Sequence, residues 1–271
     1  MINEIIHGDC LEVMNDIPDM SIDLILCDLP YGSTRCKWDT IIPFESLWVH
    51  YKRIIKDRGV ILLCGQEPFS SYLRTSGIDL YKYDWYWEKD KGANFLFGNK
   101  QPLKNIEIIS CFYKQQPIYN PQKVANPKGT SKRHLSPNPI KFSSNVKEIM
   151  GDSWKAPDMG IAQNCYSKTY EPDKLLPKQL IYFAREQRNK LHPTQKPVAL
   201  FEYLIKTYTN EGDLVLDNCA GSFTTAVASD NTKRNWVCIE KEAKYCEIGR
   251  KRIKENRERL LNLDKCAKLD I

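Results

Sequence analysis

A carboxylate, a proline and an aromatic ring follow a short apolar run in the sequence Asp28-Leu29-Pro30-Tyr31. The run before them, residues 24–27, is short enough to be a buried strand of a parallel sheet. Side chains at the carboxyl end of such a strand reach the edge of the sheet where ligands bind. A carboxylate there accepts hydrogen bonds, and an aromatic ring can stack on a flat substrate. This stretch is the first candidate catalytic site.

A second pair of acids has the spacing of an adenosine-binding site. The predicted strand 212–217 ends at Asp217, a turn containing Gly221 follows, and the next strand ends at Glu240, 19 positions after that glycine. A glycine in the turn lets the backbone approach a cofactor, and a carboxylate at a strand end accepts bonds from ribose hydroxyls. The three-glycine fingerprint of NAD and FAD sites is missing, as is the lysine of a P-loop.

Strand and helix patterns alternate on both sides of these motifs. Apolar residues at strand or helix spacing predict strand 4–7, helix 10–14, strand 21–27, helix 44–56, strand 60–64, helix 198–206 and strand 235–240. Aromatic and β-branched runs at 83–89 and 107–113 are predicted to pair antiparallel at the end of the sheet. The fold class expected is therefore α/β, with a doubly wound, mostly parallel, Rossmann-like sheet and an antiparallel strand at one end.

A loop at residues 92–102 separates those two aromatic runs. Its glycines, Asn94 and its aromatic residues suit a loop near a ligand, and a plain connecting loop is the alternative.

The positive charge is concentrated in the middle of the chain. Residues 114–190 contain 14 Lys and Arg against 6 Asp and Glu, whereas the whole chain has a net charge of +6. Eight of the 15 prolines lie there and interrupt regular elements. The segment is predicted to be an irregular insertion that binds nucleic acid. Alternatively, its aromatic residues form the core of a small subdomain: Tyr119, Phe142, Trp154, Tyr166 and Tyr170.

Composition excludes several other classes of protein. No apolar run approaches the roughly 18 residues of a membrane span, and no signal peptide is recognised, so a cytoplasmic protein is expected. The ten cysteines form no Cys-x-x-Cys pair, which favours reduced and buried thiols. The four histidines are scattered, and no metal site is predicted.

Together these motifs resemble the DNA amino-methyltransferases, which transfer a methyl group from S-adenosylmethionine to an exocyclic base nitrogen. Their catalytic motif is an acid or amide, a variable residue, a proline and an aromatic residue; their cofactor motif is an acid followed by a Gly-Ser-Gly-Thr turn. The catalytic motif comes first here, as in the permuted beta class. The resemblance covers most of residues 1–113 and 191–263, with agreements at Gly8-Asp9-Cys10, Asp28–Tyr31, His192–Pro197, Asp217–Thr225 and Glu240.

This resemblance implies a site-specific enzyme that methylates the N6 amine of an adenine flipped out of duplex DNA. An aspartate at the first motif position is mostly associated with adenine in this family, and a serine with the N4 amine of cytosine. The catalytic residues implied are Asp28, Leu29, Pro30 and Tyr31. Asp28 and a backbone carbonyl of Leu29-Pro30 would accept the two hydrogens of the amine, and Tyr31 would stack on the extruded base.

The resemblance also implies the cofactor site. Asp9, with the backbone of Cys10 nearby, would hold the adenine of S-adenosylmethionine, and Glu240 would hold its ribose. The methionine part would lie among Asp217 and its neighbours. The full set implied is Asp9, Cys10, Asp28, Thr194, Lys196, Asp217, Asn218, Gly221, Ser222 and Glu240.

Three segments follow from this assignment. Residues 1–113 are predicted to be the catalytic half of the methyltransferase domain, 114–190 the inserted target-recognition region, and 191–271 the cofactor-binding half. The expected partner is double-stranded DNA and not a membrane. Whether the protein forms a homodimer, and whether it has a cognate restriction endonuclease or acts as an orphan enzyme, is left open.

Two departures from the family pattern leave alternatives. Leu29 replaces the more usual first proline, but the expected contribution there comes from the backbone. Phe223 replaces the second glycine of the cofactor turn, where an inward-pointing ring would crowd the ligand. The alternatives are an N4-cytosine enzyme, a methyltransferase acting on RNA or protein glutamine, and a DNA-binding protein with a decayed cofactor site.

Overall fold

The computed structural model describes residues 2–33, 36, 39–125, 174–186 and 195–269. It contains two compact units, one made of 1–122 with 178–271 and the other of 123–177. Ten strands are described: β1 (Glu4–His7), β2 (Ile22–Asp28), β3 (Ile55–Gly65), β4 (Tyr81–Ala93), β5 (Lys104–Phe112), β6 (Val124–Ala125), β7 (Lys174–Leu175), β8 (Leu180–Tyr182), β9 (Leu214–Asp217) and β10 (Asn235–Glu240).

Eight of these strands form one sheet in the first unit, in the order β1-β10-β9-β2-β3-β5-β4-β8. All neighbours are parallel except β5, which is antiparallel to both β3 and β4. The predicted fold class, including the antiparallel pairing of the two aromatic runs, is confirmed. In the second unit, β6 pairs antiparallel with β7.

The central strand β2 places alternate side chains on the two faces of the sheet. Ile25 and Cys27 belong to one buried cluster, and Leu24 and Leu26 belong to another. The period of two matches a strand that is covered on both faces, so that all four side chains are fully buried. Burying this run fixes the register of β2 and therefore the point at which Asp28 leaves the sheet.

Helices cover both faces of the sheet. The helices Cys10–Val13, Phe44–Ile54 and Phe69–Ser76 pack on the first face. Those at Val198–Tyr208 and Thr224–Asn231 contribute to the second. The helix Ala243–Leu269 follows β10, and its residues Cys246 and Ile253 share a further buried cluster with Trp236. Within the described ranges, none of the helices combines the length and the apolar character that a membrane span requires.

Several sequence-based boundaries were wrong. The strand predicted at 60–64 begins at Ile55, immediately after the helix that precedes it. The helix predicted at 198–206 begins at Val198 but extends to Tyr208, and Pro197 is its N-cap, without a side-chain hydrogen bond. Pro197 fits this position because it needs no backbone N–H partner. The helix Phe69–Ser76 was not predicted, although Pro68 stands directly before it.

Part of the segment 114–190, which was predicted to be an irregular insertion, belongs to the main sheet. β8 pairs parallel with β4 and forms an edge of the sheet, and a three-residue strand paired on one side is too short to show periodicity. Tyr119 also belongs to the first unit, where its ring lies 5.9 Å from that of Tyr208. The predictions made for Phe142, Trp154, Tyr166 and Tyr170 lie outside the described residues.

Candidate functional site

A cavity of about 580 Å³ lies at the carboxyl ends of β1, β2, β9 and β10. This is the edge at which open parallel sheets bind their ligands. It brings the two predicted motifs together, although more than 180 residues separate them in the sequence. The predicted residues that line it are Asp9, Cys10, Asp28, Leu29, Pro30, Tyr31, Lys196, Asp217, Asn218, Gly221, Ser222 and Glu240. Thr194 lies outside the described residues.

Asp28, the last residue of β2, is held by a donor on each of its carboxylate oxygens. The hydroxyl of Tyr31 donates to Oδ1 at 2.5 Å, and the ammonium group of Lys196 donates to Oδ2 at 2.6 Å. Burial raises the pKa of Asp28, while the charge of Lys196 acts in the opposite direction. Because each carboxylate oxygen has two lone pairs, both oxygens can still accept one more donor.

Lys196 joins Asp28 to a second buried carboxylate. Its Nζ lies 3.3 Å from Oε2 of Glu107, and Oε1 of Glu107 accepts from Nζ of Lys89 at 3.0 Å. Burial alone would lower the pKa of Lys196, but the two carboxylates outweigh it and raise the pKa well above its usual range. For Glu107, burial is likewise outweighed by the two lysines, which lower its pKa. Two carboxylates and two ammonium groups therefore form a network whose charges sum to zero and whose side chains are largely shielded from solvent.

The ring of Tyr31 is positioned by packing as well as by its hydroxyl. Its centre lies 5.0 Å from the centre of the Phe69 ring and 5.8 Å from Nζ of Lys196. Burial raises the pKa of the Tyr31 hydroxyl, so that it remains a donor to Asp28. Leu29 is buried in the same cluster as Phe69, which fixes the backbone between Asp28 and Tyr31.

Asp217 at the end of β9 is held by neutral donors. The hydroxyl of Thr225 donates to Oδ2 at 2.5 Å, and the backbone N–H of Cys219 donates to Oδ1 at 3.1 Å. Burial raises the pKa of Asp217 to about 6. Neighbouring Asn218 accepts from the hydroxyl of Tyr51 at 2.6 Å, which ties the turn to the helix Phe44–Ile54.

Glu240 at the end of β10 is likewise held by backbone groups. Its Oε2 accepts from the N–H of Gly221 at 2.7 Å, and its Oε1 accepts from the N–H of Glu242 at 2.8 Å. Burial raises its pKa. Asp9 follows β1, the neighbouring strand, and accepts from the backbone of Leu11 at 3.0 Å and from Nζ of Lys241 at 3.0 Å. The hydrogen bond from Lys241 lowers the pKa of Asp9.

Phe223 does not crowd the cavity. Its ring is fully buried in a cluster with Ala226 and Trp236, and Phe223 does not line the cavity. A Cβ on Gly249, in the helix Ala243–Leu269, would lie 2.2 Å from Cδ2 of this ring. Phe223 adopts the left-handed conformation that glycine tolerates best, with φ of 60°. The bulk added in the turn is therefore accommodated against the helix Ala243–Leu269 and does not enter the cavity.

Sequence reasoning missed the residues that complete the charged network. Glu107 lies in β5 and Lys89 in β4, both in runs that were interpreted only as aromatic strands. Glu107, a carboxylate between Ile106 and Ile108, was the available signal in β5, whereas β4 carries several charged residues and nothing in its sequence distinguishes Lys89 from them. The partnership of Glu107 and Lys89 depends on the antiparallel register, which pairs Trp87 with Glu107 and which the sequence alone did not provide.

The family model described as DNA methylase, of the N6 and N4 amino type, matches residues 22–251. The match covers both strand-end motifs and everything between them. The chain belongs to the DNA methylase family. It is therefore a methyltransferase that acts on an exocyclic amine of DNA, and the predicted cofactor, S-adenosylmethionine, is confirmed as the methyl donor of this class.

Particular relatives cover nearly the whole chain. The DNA adenine methyltransferase YhdJ of Escherichia coli is 26% identical over 270 residues, which are 92% of this chain and 82% of the relative. The type II methyltransferase M.HpaI of Haemophilus parainfluenzae is 25% identical over 267 residues, 93% of this chain and 74% of the relative. The solved structure of the cytosine-N4-specific PvuII DNA methyltransferase matches with a TM-score of 0.60 at 16% identity, covering 96% and 92% of the two chains.

The cavity fits the cofactor in its size and in the acceptor groups that line it. S-adenosylmethionine combines a nucleoside with a cationic sulfonium, and the cavity presents acceptor carboxylates at the ends of three neighbouring strands. Asp217 and Glu240 have neutral donors as their hydrogen-bond partners, so their charge is available to a cationic or hydroxyl-bearing ligand. The N–H of Gly221 on Glu240 shows how closely the turn approaches that acid.

Proposed function

We propose that the protein transfers the methyl group to the N6 amine of an adenine that has been extruded from duplex DNA. The observation that carries this proposal is the arrangement of Asp28. Its carboxylate is oriented by Tyr31 and Lys196, lines the cavity, and retains acceptor capacity for an amine. The aspartate at this position also resembles the adenine-specific members of the family.

The chemistry asks for orientation more than for a strong base. The lone pair of an adenine amine is delocalised into the ring, so the amine is a poor nucleophile. Asp28 and the carbonyl of Leu29 accept its two hydrogens, which turns the lone pair toward the bound cofactor. The same acceptors stabilise the positive charge that develops on the nitrogen as the bond forms. The cofactor supplies an electrophilic methyl group on a sulfonium.

Tyr31 contributes a stacking surface for the extruded base. Its ring lines the cavity beside Asp28 and is supported from behind by Phe69. Stacking on an aromatic ring is worth about 1–3 kcal/mol per base, which offsets part of the unstacking cost. Because the Tyr31 hydroxyl donates a hydrogen bond to Asp28, the ring is held in a fixed orientation relative to the carboxylate.

The cofactor residues divide according to their surroundings. Asp9 accepts the amine of the cofactor's adenine beside the backbone of Cys10, and Glu240 accepts the ribose hydroxyls. The methionine part lies against Asp217, Asn218, Gly221 and Ser222, and the cofactor contact predicted for Thr194 stays a prediction from the sequence. Lys196 lines the same cavity, but its ammonium group donates a hydrogen bond to Asp28 and forms an ion pair with Glu107. We therefore assign it to the orientation of Asp28 rather than to direct binding of the carboxylate end of the cofactor.

The basic segment 114–190 is proposed to read the target sequence. Its excess of Lys and Arg suits contacts to phosphates, and the two halves of the methyltransferase domain flank it at 1–113 and 191–271. The catalytic motif precedes the cofactor motif, which supports membership of the permuted beta class. Work on cellular DNA in the cytoplasm, with or without a restriction endonuclease, and a homodimeric state remain predictions.

Transfer to the N4 amine of cytosine is the second candidate. It is favoured by the structural similarity to the cytosine-N4-specific PvuII enzyme, whose fold this chain shares. A DNA-binding protein with a decayed cofactor site loses its support, because Phe223 does not line the cavity.

Nucleoside analysis separates the two bases. The protein is incubated with methyl-labelled S-adenosylmethionine and mixed-sequence duplex DNA, and the DNA is then digested to nucleosides. The proposal predicts that the label is found in N6-methyl-2′-deoxyadenosine. Label found only in N4-methylcytosine would overturn the adenine assignment and leave the DNA methyltransferase class intact.

A further inference from the structure

The hairpin between β4 and β5 ends in an apolar tip that the proposed chemistry does not use. Phe95, Leu96 and Phe97 form a single turn of 3₁₀ helix, and their side chains are 77%, 81% and 49% exposed. Three consecutive large apolar side chains in water mark a surface that binds something. We refer to residues 94–98 as the hairpin tip.

The hairpin tip has a defined backbone conformation. Asn94 opens it in the left-handed conformation, and four backbone hydrogen bonds close it: Phe97 N to Asn94 O, Gly98 N to Phe95 O, Lys100 N to Phe97 O and Gln101 N to Phe97 O. At its base the strands approach so closely that a Cβ on Gly92 would lie 2.6 Å from Cβ of Leu103. The three apolar side chains are thus presented on a fixed turn and are not collapsed onto the sheet.

The position of the tip points to the catalytic cavity. β5 is antiparallel to both β3 and β4, so β4 runs in the direction of β2 and β3, and its carboxyl end lies at the edge of the sheet where Asp28 leaves β2. Ala93, the last residue of β4 and the neighbour of Asn94, lines the cavity. The tip therefore begins at the rim of the pocket that receives the target base.

The charge around the tip identifies the class of partner. Residues 91–104 contain Lys91, Lys100 and Lys104 and no acidic residue. The nearest acid before them, Asp90, is bonded to Arg185 at 3.0 Å. Apolar side chains flanked by lysines fit a DNA duplex, because the lysines meet phosphates while the apolar groups enter the stack of bases.

We propose that the hairpin tip inserts Leu96, flanked by Phe95 and Phe97, into the DNA stack at the target step and offsets the loss of stacking when the base is extruded. Apolar wedges of this kind are used by proteins that unstack a base step at a cost of a few kcal/mol. The tip thereby assists extrusion without touching the reacting atoms. The proposal rests only on methyl transfer to DNA and holds for either target base.

Modified-base sequencing first identifies the DNA sequence that the protein methylates. The test then compares methylation of two synthetic duplexes that contain this sequence. One duplex is fully paired, and the other has an abasic site opposite the target base, so that extrusion costs less. For Leu96→Ala we expect the methylation rate on the paired duplex to fall about tenfold, and on the abasic duplex by less than about threefold, as loss of roughly one stacking contact implies. Phe97→Leu, which keeps an apolar side chain, should retain most of the activity.

Matched controls make the result specific. Leu261→Ala removes a similarly exposed leucine, 60% exposed on the helix Ala243–Leu269, and should change neither rate. Lys100→Gln should weaken binding to both duplexes alike and reduce the salt dependence. Equal losses of Leu96→Ala on both duplexes, or no loss on the paired one, would overturn the proposal. So would a change of oligomeric state in Leu96→Ala, which would assign the tip to a contact between two copies of the chain.

Discussion

The two ends of the cavity hold their carboxylates in different ways. At the catalytic end, Asp28 and Glu107 are paired with the ammonium groups of Lys196 and Lys89. At the cofactor end, Asp217 and Glu240 accept hydrogen bonds from neutral groups, whereas Asp9 accepts from Lys241, whose ammonium group is exposed.

The difference separates two tasks. A buried ion pair fixes the orientation of a carboxylate but neutralises its field, which suits an acceptor that must align a neutral amine. A buried carboxylate with neutral donors has no cation to offset its charge, and the raised pKa of Asp217 reflects the cost of burying that charge. The cofactor end is therefore prepared for a positively charged ligand, and the catalytic end for a neutral one.

The largest expected effect is that of removing Lys196. Lys196→Met leaves Asp28 without its ammonium partner, and breaking a buried pair in this way costs about 3–5 kcal/mol of unfolding free energy. Chemical denaturation measures the change. Lys52→Met removes a cation from an exposed pair with Asp79 and should cost less than about 1 kcal/mol. If both variants lose the same small amount, the network at the catalytic end does not hold Asp28.

The next effect concerns the rate of methyl transfer. Asp28→Ala removes the acceptor of the amine, and loss of one oriented group in a closed site lowers kcat by about 10²–10³-fold. Labelled methyl incorporation under single-turnover conditions measures it, and calorimetry should show that S-adenosylmethionine still binds. Asp79→Ala, on the exposed surface, is the matched control and should keep full activity. Full activity of Asp28→Ala would contradict the catalytic assignment.

The cofactor end predicts a pH dependence of stability. The pKa of Asp217 is about 6 in the folded protein, above its ordinary value of 3.8, so the folded state binds the proton more tightly. Its stabilising contribution is complete below pH 3.8 and is lost as the pH rises through 6, a change of about 3 kcal/mol. The unfolding free energy of the protein should fall more steeply over this range than that of Asp217→Asn. Parallel curves for the two proteins would show that Asp217 is not buried as described.

The smallest effect tests the departure beside the cofactor turn. Gly249→Ala places a methyl group against the ring of Phe223 and should cost about 1–3 kcal/mol by overpacking. In a Phe223→Gly background the same change should cost nothing, because the ring is gone. Lys251→Ala, on the exposed side of the same helix, is the control. If the two substitutions change the unfolding free energy additively, the ring of Phe223 does not pack against Gly249.

The site residues that the sequence revealed are those whose signal is local in the chain. Asp28, Asp217 and Glu240 were found because each follows a local apolar run that predicts a strand, and strand ends of a parallel sheet meet at one edge. Glu107 and Lys89 were missed because their roles arise from strand pairing across the sheet. Lys196 was recognised as a site residue, but its partner Glu107 depends on the same pairing.

The fold shows the same division between local and distant information. The apolar run of β2 is a local signal and predicted a buried strand, whereas β8 joins the sheet through β4 alone and left no periodic signal. The orientation of Phe223 depended on space provided by Gly249, 26 positions later, and the sequence did not link them. Residue type alone therefore suggested crowding where the packing provides room.

The most direct test of the central claim is modified-base sequencing of DNA from cells that express the protein or its Asp28→Ala variant. The account predicts N6-methyladenine within one short sequence in the first case and its absence in the second. N4-methylcytosine at that sequence, or N6-methyladenine that persists with Asp28→Ala, would contradict it.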